Sequence, residues 1–385
     1  MEIKKKNFLY CWIVAFYFII PSSFPFNYAI AAELDKITCT TDCNAECLAK
    51  FPGVSNFFKQ LECRGKCFDV IPSCMPTANP SFDFLQAKQQ YYEERLLTHF
   101  ISREQNFSYI ISRDKENNPI HQGDSLLWSS LAMGILPCEK GTEIQNSLAK
   151  SLQIRNGAFV RFEPLPGEYA DNSTSRDQET GVLFGLAMRM LRCPSHLPEI
   201  KSMWELHRKF IAEHGSLCAS NHLNCRITKG ISFLMRQLSF RLGLEAVAPS
   251  GGDKAIFEAE MVASSMGVRI GNLTCYPIHL NTLQAITAEI LDRPIKKRVY
   301  KQICNDSLEM NIPLVDWYCN RESSVSILNW VANFDNEDAL NKPEYRYEYR
   351  HQRCGKREHP DLKEGASSPG IDFLMLIKLA GGWNR

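Results

Sequence analysis

Beyond residue 80 the chain alternates between two kinds of segment. One kind carries a polar side and an apolar side at the 3.6-residue spacing of an amphipathic helix. The other is apolar nearly all round and rich in small residues, the mark of a helix that meets protein on every side. Twelve helices are predicted, at 82–105, 123–136, 142–153, 177–192, 197–214, 227–243, 253–267, 278–291, 294–309, 322–334, 335–342 and 367–380. The second and every other one after it are the apolar, small-residue helices. The interleaved ones are polar-faced, as in the Lys, Gln and Glu side of Phe82 to Arg103. No stretch sustains a period-two alternation, so strands are expected to be few.

The stretch Ser175 to Met188 organises this pattern. Thr174 or Ser175 is placed to cap a helix, and Asp177 stands in its first turn, where a carboxylate suits the helix dipole. Gly181, Gly185 and Ala187 would let a second helix approach closely. An upstream copy exists: Ser130-Leu131-Ala132-Met133 matches Gly185-Leu186-Ala187-Met188, and Cys138 matches Cys193, at a shared offset of 55 residues. The copy opens on Asp124, which lies 53 residues before Asp177. A helical unit recurring at this length predicts a helical array.

Six polar-faced helices alternating with six apolar ones describe six helical hairpins. The run His121-Gln122-Gly123-Asp124-Ser125-Leu126-Leu127-Trp128, with Ser175-Arg176-Asp177-Gln178 ahead of its apolar helix, resembles the six-hairpin (α/α)6 toroid superfamily, which includes many glycoside hydrolases and polysaccharide lyases. The resemblance covers residues 80–385 at the level of the superfamily. It implies an all-α fold, an (α/α)6 toroid whose inner helices all start at one face, and carbohydrate chemistry at that face. The connections that lead into the apolar helices are the long ones (106–122, 154–176, 215–226, 268–277, 310–321, 343–366), and long loops on a rigid scaffold carry function.

Candidate chemistry therefore belongs to those loops and the first helical turns after them. Asp124 and Asp177 are the candidate catalytic pair, since glycoside hydrolysis needs one carboxyl group to protonate the leaving oxygen and another to activate water or attack. The competing reading of each is a helix-start carboxylate. Arg176 either pairs with Asp177 or anchors a ligand carboxylate. His121, Trp128, Arg161, Glu163, Gln178, His279 and Asn281 complete the expected lining, with Trp128 either stacking on a sugar or packed in the core. The segment 156–174 reads as a lid or lining loop. Asp253, in Ser250-Gly251-Gly252-Asp253, reads as a cap on the opposite face. Gly123-Asp124-Ser125-Leu126 spells the nucleophile block of an esterase family, but a loop precedes it where that family has a strand, so Ser125 is set aside. Three functions follow in order: a glycoside hydrolase, a noncatalytic toroid that binds a glycan or protein, and a lyase built on His279, Asn281 and Tyr169.

The amino-terminal stretch changes the setting. Lys4 to Lys6, an apolar run from Leu9 to Ile20, and Ala29-Ile30-Ala31 form a three-part export signal over 1–31, with a retained anchor as the alternative. Of fifteen cysteines, Cys11 lies in that signal, and the even number left suits an oxidising compartment, secreted or periplasmic. Residues 32–79 hold Cys39, Cys43 and Cys47, then Cys63, Cys67 and Cys74. The four-residue spacings put Cys39, Cys43 and Cys47 on one helix face and Cys63 and Cys67 on another, and an antiparallel hairpin would pair Cys43 with Cys67 and Cys47 with Cys63, leaving Cys39 for Cys74. This stapled hairpin is either a structural cap or a docking module for a partner protein. Cys218 and Cys225 are expected to pair, and Cys138 with Cys193 to bridge adjacent helices, while Cys275, Cys304, Cys319 and Cys354 are left open.

A formal net charge of +1 argues against a nucleic-acid partner or an acidic membrane surface. No stretch after the signal is long and apolar enough to span a membrane, and no motif calls for a cofactor or a metal; calcium alone stays open, because loops carry carboxylates and carbonyls. Sequons stand at Asn106, Asn172, Asn272 and Asn305.

Overall fold

The apolar helices are apolar all round because they are enclosed all round. A computed structural model of the chain describes residues 80–113, 118–120, 122–162, 174–218, 225–269, 276–307, 313–319 and 370–380. The chain divides into two compact units, Met1–Phe84 and Leu85–Arg385. Of the first, only the opening of one helix is described, so the export signal, the six hairpin cysteines (Cys39, Cys43, Cys47, Cys63, Cys67 and Cys74), Cys275 and Cys354 lie outside the described residues.

Among the described residues eleven α-helices follow one another: α1 Pro80–Thr98, α2 Ser125–Ile135, α3 Cys138–Ile154, α4 Arg176–Arg192, α5 Leu197–His214, α6 Lys229–Arg241, α7 Gly251–Arg269, α8 Tyr276–Ile290, α9 Lys297–Ser307, α10 Pro313–Cys319 and α11 Ile371–Ala380. The described residues are mostly helical, as the periodicity requires. All of α2 from Ser125 to Ile135 is buried, and so is α4 from Gln178 to Arg189. The polar-faced α5 instead buries one stripe, Ile200, Met203, Trp204, His207 and Phe210. Its end is set by Gly215, which takes the left-handed conformation (φ 66°) that a helix C-cap favours.

Helix α4 lies at the centre of the packing, against α2, α5, α6 and α8, and most extensively against α2. Glycine makes that seam possible. A Cβ on Gly185 would lie 2.2 Å from the Ser130 carbonyl oxygen, and one on Gly134 would lie 3.0 Å from the Gly185 Cα. The two repeat helices, matched in sequence, are thus the two that touch most closely. A disulfide between Cys138 and Cys193, with Cα atoms 5.7 Å apart, ties their far ends. Helix α4 also packs more extensively against α8 than against α6, its neighbour in the chain order of apolar helices.

The first and last described helices meet. The rings of Tyr92 and Phe373 lie 4.6 Å apart, and Lys378 on α11 donates to buried Glu93 on α1 at 2.9 Å. Lys140 on α3 reaches the other oxygen of Glu93 at 3.2 Å.

Two expectations are corrected. The first predicted helix runs to 105, but α1 stops at Thr98 and strand β1 (Ile101–Glu104) pairs antiparallel with β2 (Phe107–Ile110). The hairpin wins because Gln105 and Asn106 both accept positive φ (51° and 65°), as a two-residue hairpin loop demands, and because Ile101, Phe107, Tyr109 and Ile110 all find the core. Hydroxyl groups on the helices satisfy β2: the Ile110 N–H donates to Ser129 and the Ser108 N–H to Ser147, both at 2.8 Å. A second short pair joins β3 (Ser112–Arg113) and β4 (Pro119–Ile120). The other correction is α10, which stands where a loop was expected at 310–321, opening on a proline and tied to α9 by the Cys304–Cys319 disulfide. Cys218 and Cys225 are also paired. Predicted helices 322–334 and 335–342 lie outside the described residues.

Candidate functional site

Helices α4, α6 and α8 begin around one cleft of about 620 Å³. Ser175, Arg176 and Asp177 come from the start of α4, Thr228 and Ile231 from the start of α6, and Pro277, Leu280, Asn281 and Gln284 from α8. Helix α7 adds its later turns, with Glu260, Met261, Ala263 and Ser264, and Arg161 reaches in from the segment before α4.

The groups at the start of α4 are wired together. Arg161 donates to the Gly123 carbonyl at 2.7 Å and to the Ser175 hydroxyl at 3.0 Å, and its guanidinium lies 3.8 Å from Asp124. Ser175 passes its own proton to a hydrogen bond with Asp177. Gln178 joins the same network from below: its amide donates to Asp124 at 3.0 Å while its carbonyl oxygen accepts the Leu127 N–H at 2.8 Å. Asp124 and Asp177 therefore stand at the two ends of one chain of contacts. Asp124 does not cap its helix with its own side chain. Asp124 occupies the N-cap of α2 and Ser175 that of α4, and in both the side chain bonds elsewhere.

The far side of the cleft is tied differently. Glu260 accepts the N–H groups of Gly230 (2.7 Å) and Lys229 (3.0 Å) with its two oxygens, capping α6 from a neighbouring helix. Thr228, the N-cap of α6, accepts from the Ile231 N–H. Asn281 donates to the Met261 carbonyl at 3.0 Å, and Gln284 to the Thr180 hydroxyl at 3.1 Å. These bonds fix the walls while leaving polar groups along them.

Comparison with known proteins finds no matching family model, no matching curated protein and no matching solved structure.

Of the residues nominated from sequence, Arg161, Arg176, Asp177 and Asn281 line the cleft. Gln178 is fully buried and serves the network beneath it, and Asp124, with a side chain 16% exposed, lies outside the lining. Trp128 is corrected: at 4% exposure it belongs to the core and offers no stacking face. His279 is likewise corrected, buried at 2% and absent from the lining. His121, Glu163 and Tyr169 lie outside the described residues. Ser125, set aside as a nucleophile, is fully buried. Asp253 sits in a capping box with Ser250, each accepting the other's N–H, and hydrogen bonds from the Ser250 hydroxyl and backbone, then the Arg236 charge, hold its carboxyl below the usual range.

Sequence reasoning missed Glu260, Met261 and Ser264. It searched the loops and the first turns that follow them, yet a polar-faced helix that runs toward the mouth ends there too. The spacing of Glu260, Ala263 and Ser264 (i, i+3, i+4) is a one-face signature that could have found them.

Proposed function

We propose that this cleft binds a glycan or a similarly hydroxyl-rich ligand, in an exported carbohydrate-active protein. The observation that carries the reading is the cleft itself: about 620 Å³, with guanidinium, carboxylate, amide and hydroxyl groups converging from four helices and the segment before α4. That volume falls within the roughly 300–1,000 Å³ of small-molecule sites. A polyhydroxylated ligand offers both donors and acceptors, and the lining answers with both. Arg176 is exposed at the start of α4, where the helix dipole adds to its charge and favours any anionic substituent on the ligand.

Hydrolysis is the second reading, favoured by Asp177, a carboxylate on the wall of the cleft. As general base or nucleophile it would need a protonated partner across the ligand. Glu260 is the facing carboxyl group, although both its oxygens are engaged by α6. Asp124, the partner first expected, stands behind Gln178 and Arg161. The binding reading therefore precedes the hydrolase, and a lyase built on His279 has the least support.

For the architecture we propose six helical hairpins arranged in a ring. The alternation of polar-faced and apolar helices supports it, as does the meeting of α1 with α11, while the α4–α8 contact, which passes over α6, departs from a simple ring. The three disulfides among the described residues support an oxidising compartment, secreted or periplasmic. Among the described residues no helix is long and apolar enough to cross a membrane.

A panel of soluble neutral and acidic oligosaccharides tests the reading. A ligand at about 100 times its Kd stabilises the fold by about 2.7 kcal/mol, which a thermal-shift assay resolves easily. Stabilisation by one class, removed by Arg176→Gln, is the expected result. A panel that shifts nothing and is not cleaved would refute carbohydrate recognition at this cleft.

A further inference from the structure

We propose that Asn106 is an N-glycosylation site and that the groove beside it seats the first N-acetylglucosamine of the glycan. Asn106-Phe107-Ser108 has the acceptor pattern, with no proline at its centre. Its place in the fold suits attachment. Glu104 pairs with Phe107 across the hairpin, so Gln105 and Asn106 form the whole loop and Asn106 is exposed at its apex. The left-handed backbone at Asn106 (φ 65°) is one that Asn or Gly adopts readily. The turn therefore accounts for Asn or Gly at this position, and glycosylation would account for Asn alone.

A groove of about 400 Å³ opens next to this side chain, outside the cleft described above. Phe107 lies along it, with the Lys150 ammonium 4.5 Å from the ring centre, and Arg103, Asn146 and Ser147 line it too. Arg103 is held in place by both oxygens of Glu143, at 2.6 and 3.0 Å. Phe107 is buried beneath Lys150, so a sugar attached at Asn106 would meet the lysine stem on this wall and not the ring. The amide of Asn146 and the Lys150 ammonium would serve its acetamido and hydroxyl oxygens.

The transfer is a substitution at the anomeric carbon of a lipid-diphosphate-linked oligosaccharide. The amide nitrogen of Asn106 bonds to that carbon and gives up one proton, the carbon–oxygen bond to the diphosphate breaks, and the lipid diphosphate leaves. The order of events is set by Ser108. In the folded protein its hydroxyl donates to Glu143 at 2.6 Å and the residue is buried, so the acceptor must be used before the hairpin closes onto α3.

The test uses the full chain passed through the secretory pathway of an insect or mammalian cell line, read by glycopeptide mass spectrometry before and after enzymatic glycan removal. Asn106→Gly keeps the turn and removes the acceptor nitrogen; Ser108→Thr keeps the hydroxyl and the acceptor pattern. Occupied Asn106 in the wild type and in Ser108→Thr, with secreted but unmodified residue 106 in Asn106→Gly, is expected. A secreted wild type bearing no glycan at Asn106, or bearing one only at another sequon such as Asn305, overturns the site. Hydrogen exchange tests the seat: removing the glycan should raise exchange along β1–β2 and around Asn146 to Lys150. Unchanged exchange there overturns the role of the groove.

Discussion

The two ends of α4 each carry an arginine, and the protein treats them in opposite ways. Arg176, at the start, is exposed on the wall of a cleft. Arg189, three turns on, has no exposed surface at all. Its guanidinium donates to Gln145 at 3.0 Å, to the Cys138 carbonyl at 2.9 Å and to His196 Nδ1 at 2.9 Å, which leaves that ring nitrogen as the acceptor. Gly141 makes the room, since a Cβ there would lie 2.8 Å from Arg189 Nη1. Burial pushes the Arg189 guanidinium down to about 10, the charge of Arg192 adds to the shift, and Glu139 opposes it. A buried cation held by neutral acceptors locks helices together and offers a ligand no access. An exposed cation at a helix start can serve one. The same residue type thus distinguishes the structural end of the helix from the end that can recognise something.

The largest effect should come from removing the buried arginine. Arg189→Met fills similar volume but takes the guanidinium donor from buried Gln145 and from His196, while the Cys138 carbonyl keeps the Thr142 hydroxyl at 2.8 Å. Leaving buried polar groups unpaired on that scale costs about 3 kcal/mol, and urea unfolding should show a midpoint drop to match. Little change would mean that the C-terminal end of α4 is looser than its contacts imply, and the contrast between the two ends would fail.

A second effect concerns Glu93, which is close enough to influence Arg192. Burial acts to raise the Glu93 carboxyl, but the hydrogen bond and charge of Lys378, with Gln89 and Lys140, outweigh it and hold the group below the usual carboxylate range. A carboxyl group lowered on folding stabilises the fold above its unfolded value and loses that contribution as pH falls through its folded one. Thermal scans should therefore show the wild type weakening as the pH is taken down through and below the ordinary carboxylate range. Glu93→Gln should cost about 2 kcal/mol at neutral pH and show a shallower acid decline. A decline equally steep in the variant would place the acid-sensitive contact elsewhere.

Much of this was legible in the sequence. The alternation of polar-faced and apolar segments located the helices, because burial on one face or on all faces leaves a direct mark on composition. Gly185 and the repeat around Ser130 announced the α2–α4 seam, since only a residue without a Cβ tolerates a carbonyl at that distance. The Cys138–Cys193 disulfide followed from the repeat. What did not carry was side-chain direction. Trp128 and His279 occupy segments that the pattern assigned to the mouth, yet helical rotation turns both into the core. Glu260 reaches the cleft from a helix that periodicity marked as peripheral. The β1–β2 hairpin was hidden because its eight paired residues are too few for a period-two signal to stand out from the helix before it.

The smallest expected effect on stability is the one that best resolves function. Asp124 and Asp177 open the two repeats, and both are half-enclosed carboxylates in one network, but only Asp177 lines the cleft. Replacing either by Asn retains an oxygen to accept from Gln178 or from Ser175, so both variants should stay within about 0.5–1 kcal/mol of the wild type. Their activities separate the readings. In a hydrolytic cleft Asp177→Asn should lower turnover by about 100-fold or more, while Asp124→Asn changes little. In a binding cleft both should keep oligosaccharide affinity to within about threefold, a difference of less than 1 kcal/mol. Equal and severe loss of turnover in the two variants would instead restore the carboxylate pair drawn from the repeats and move the reacting centre to the Arg161–Gln178 side of the network.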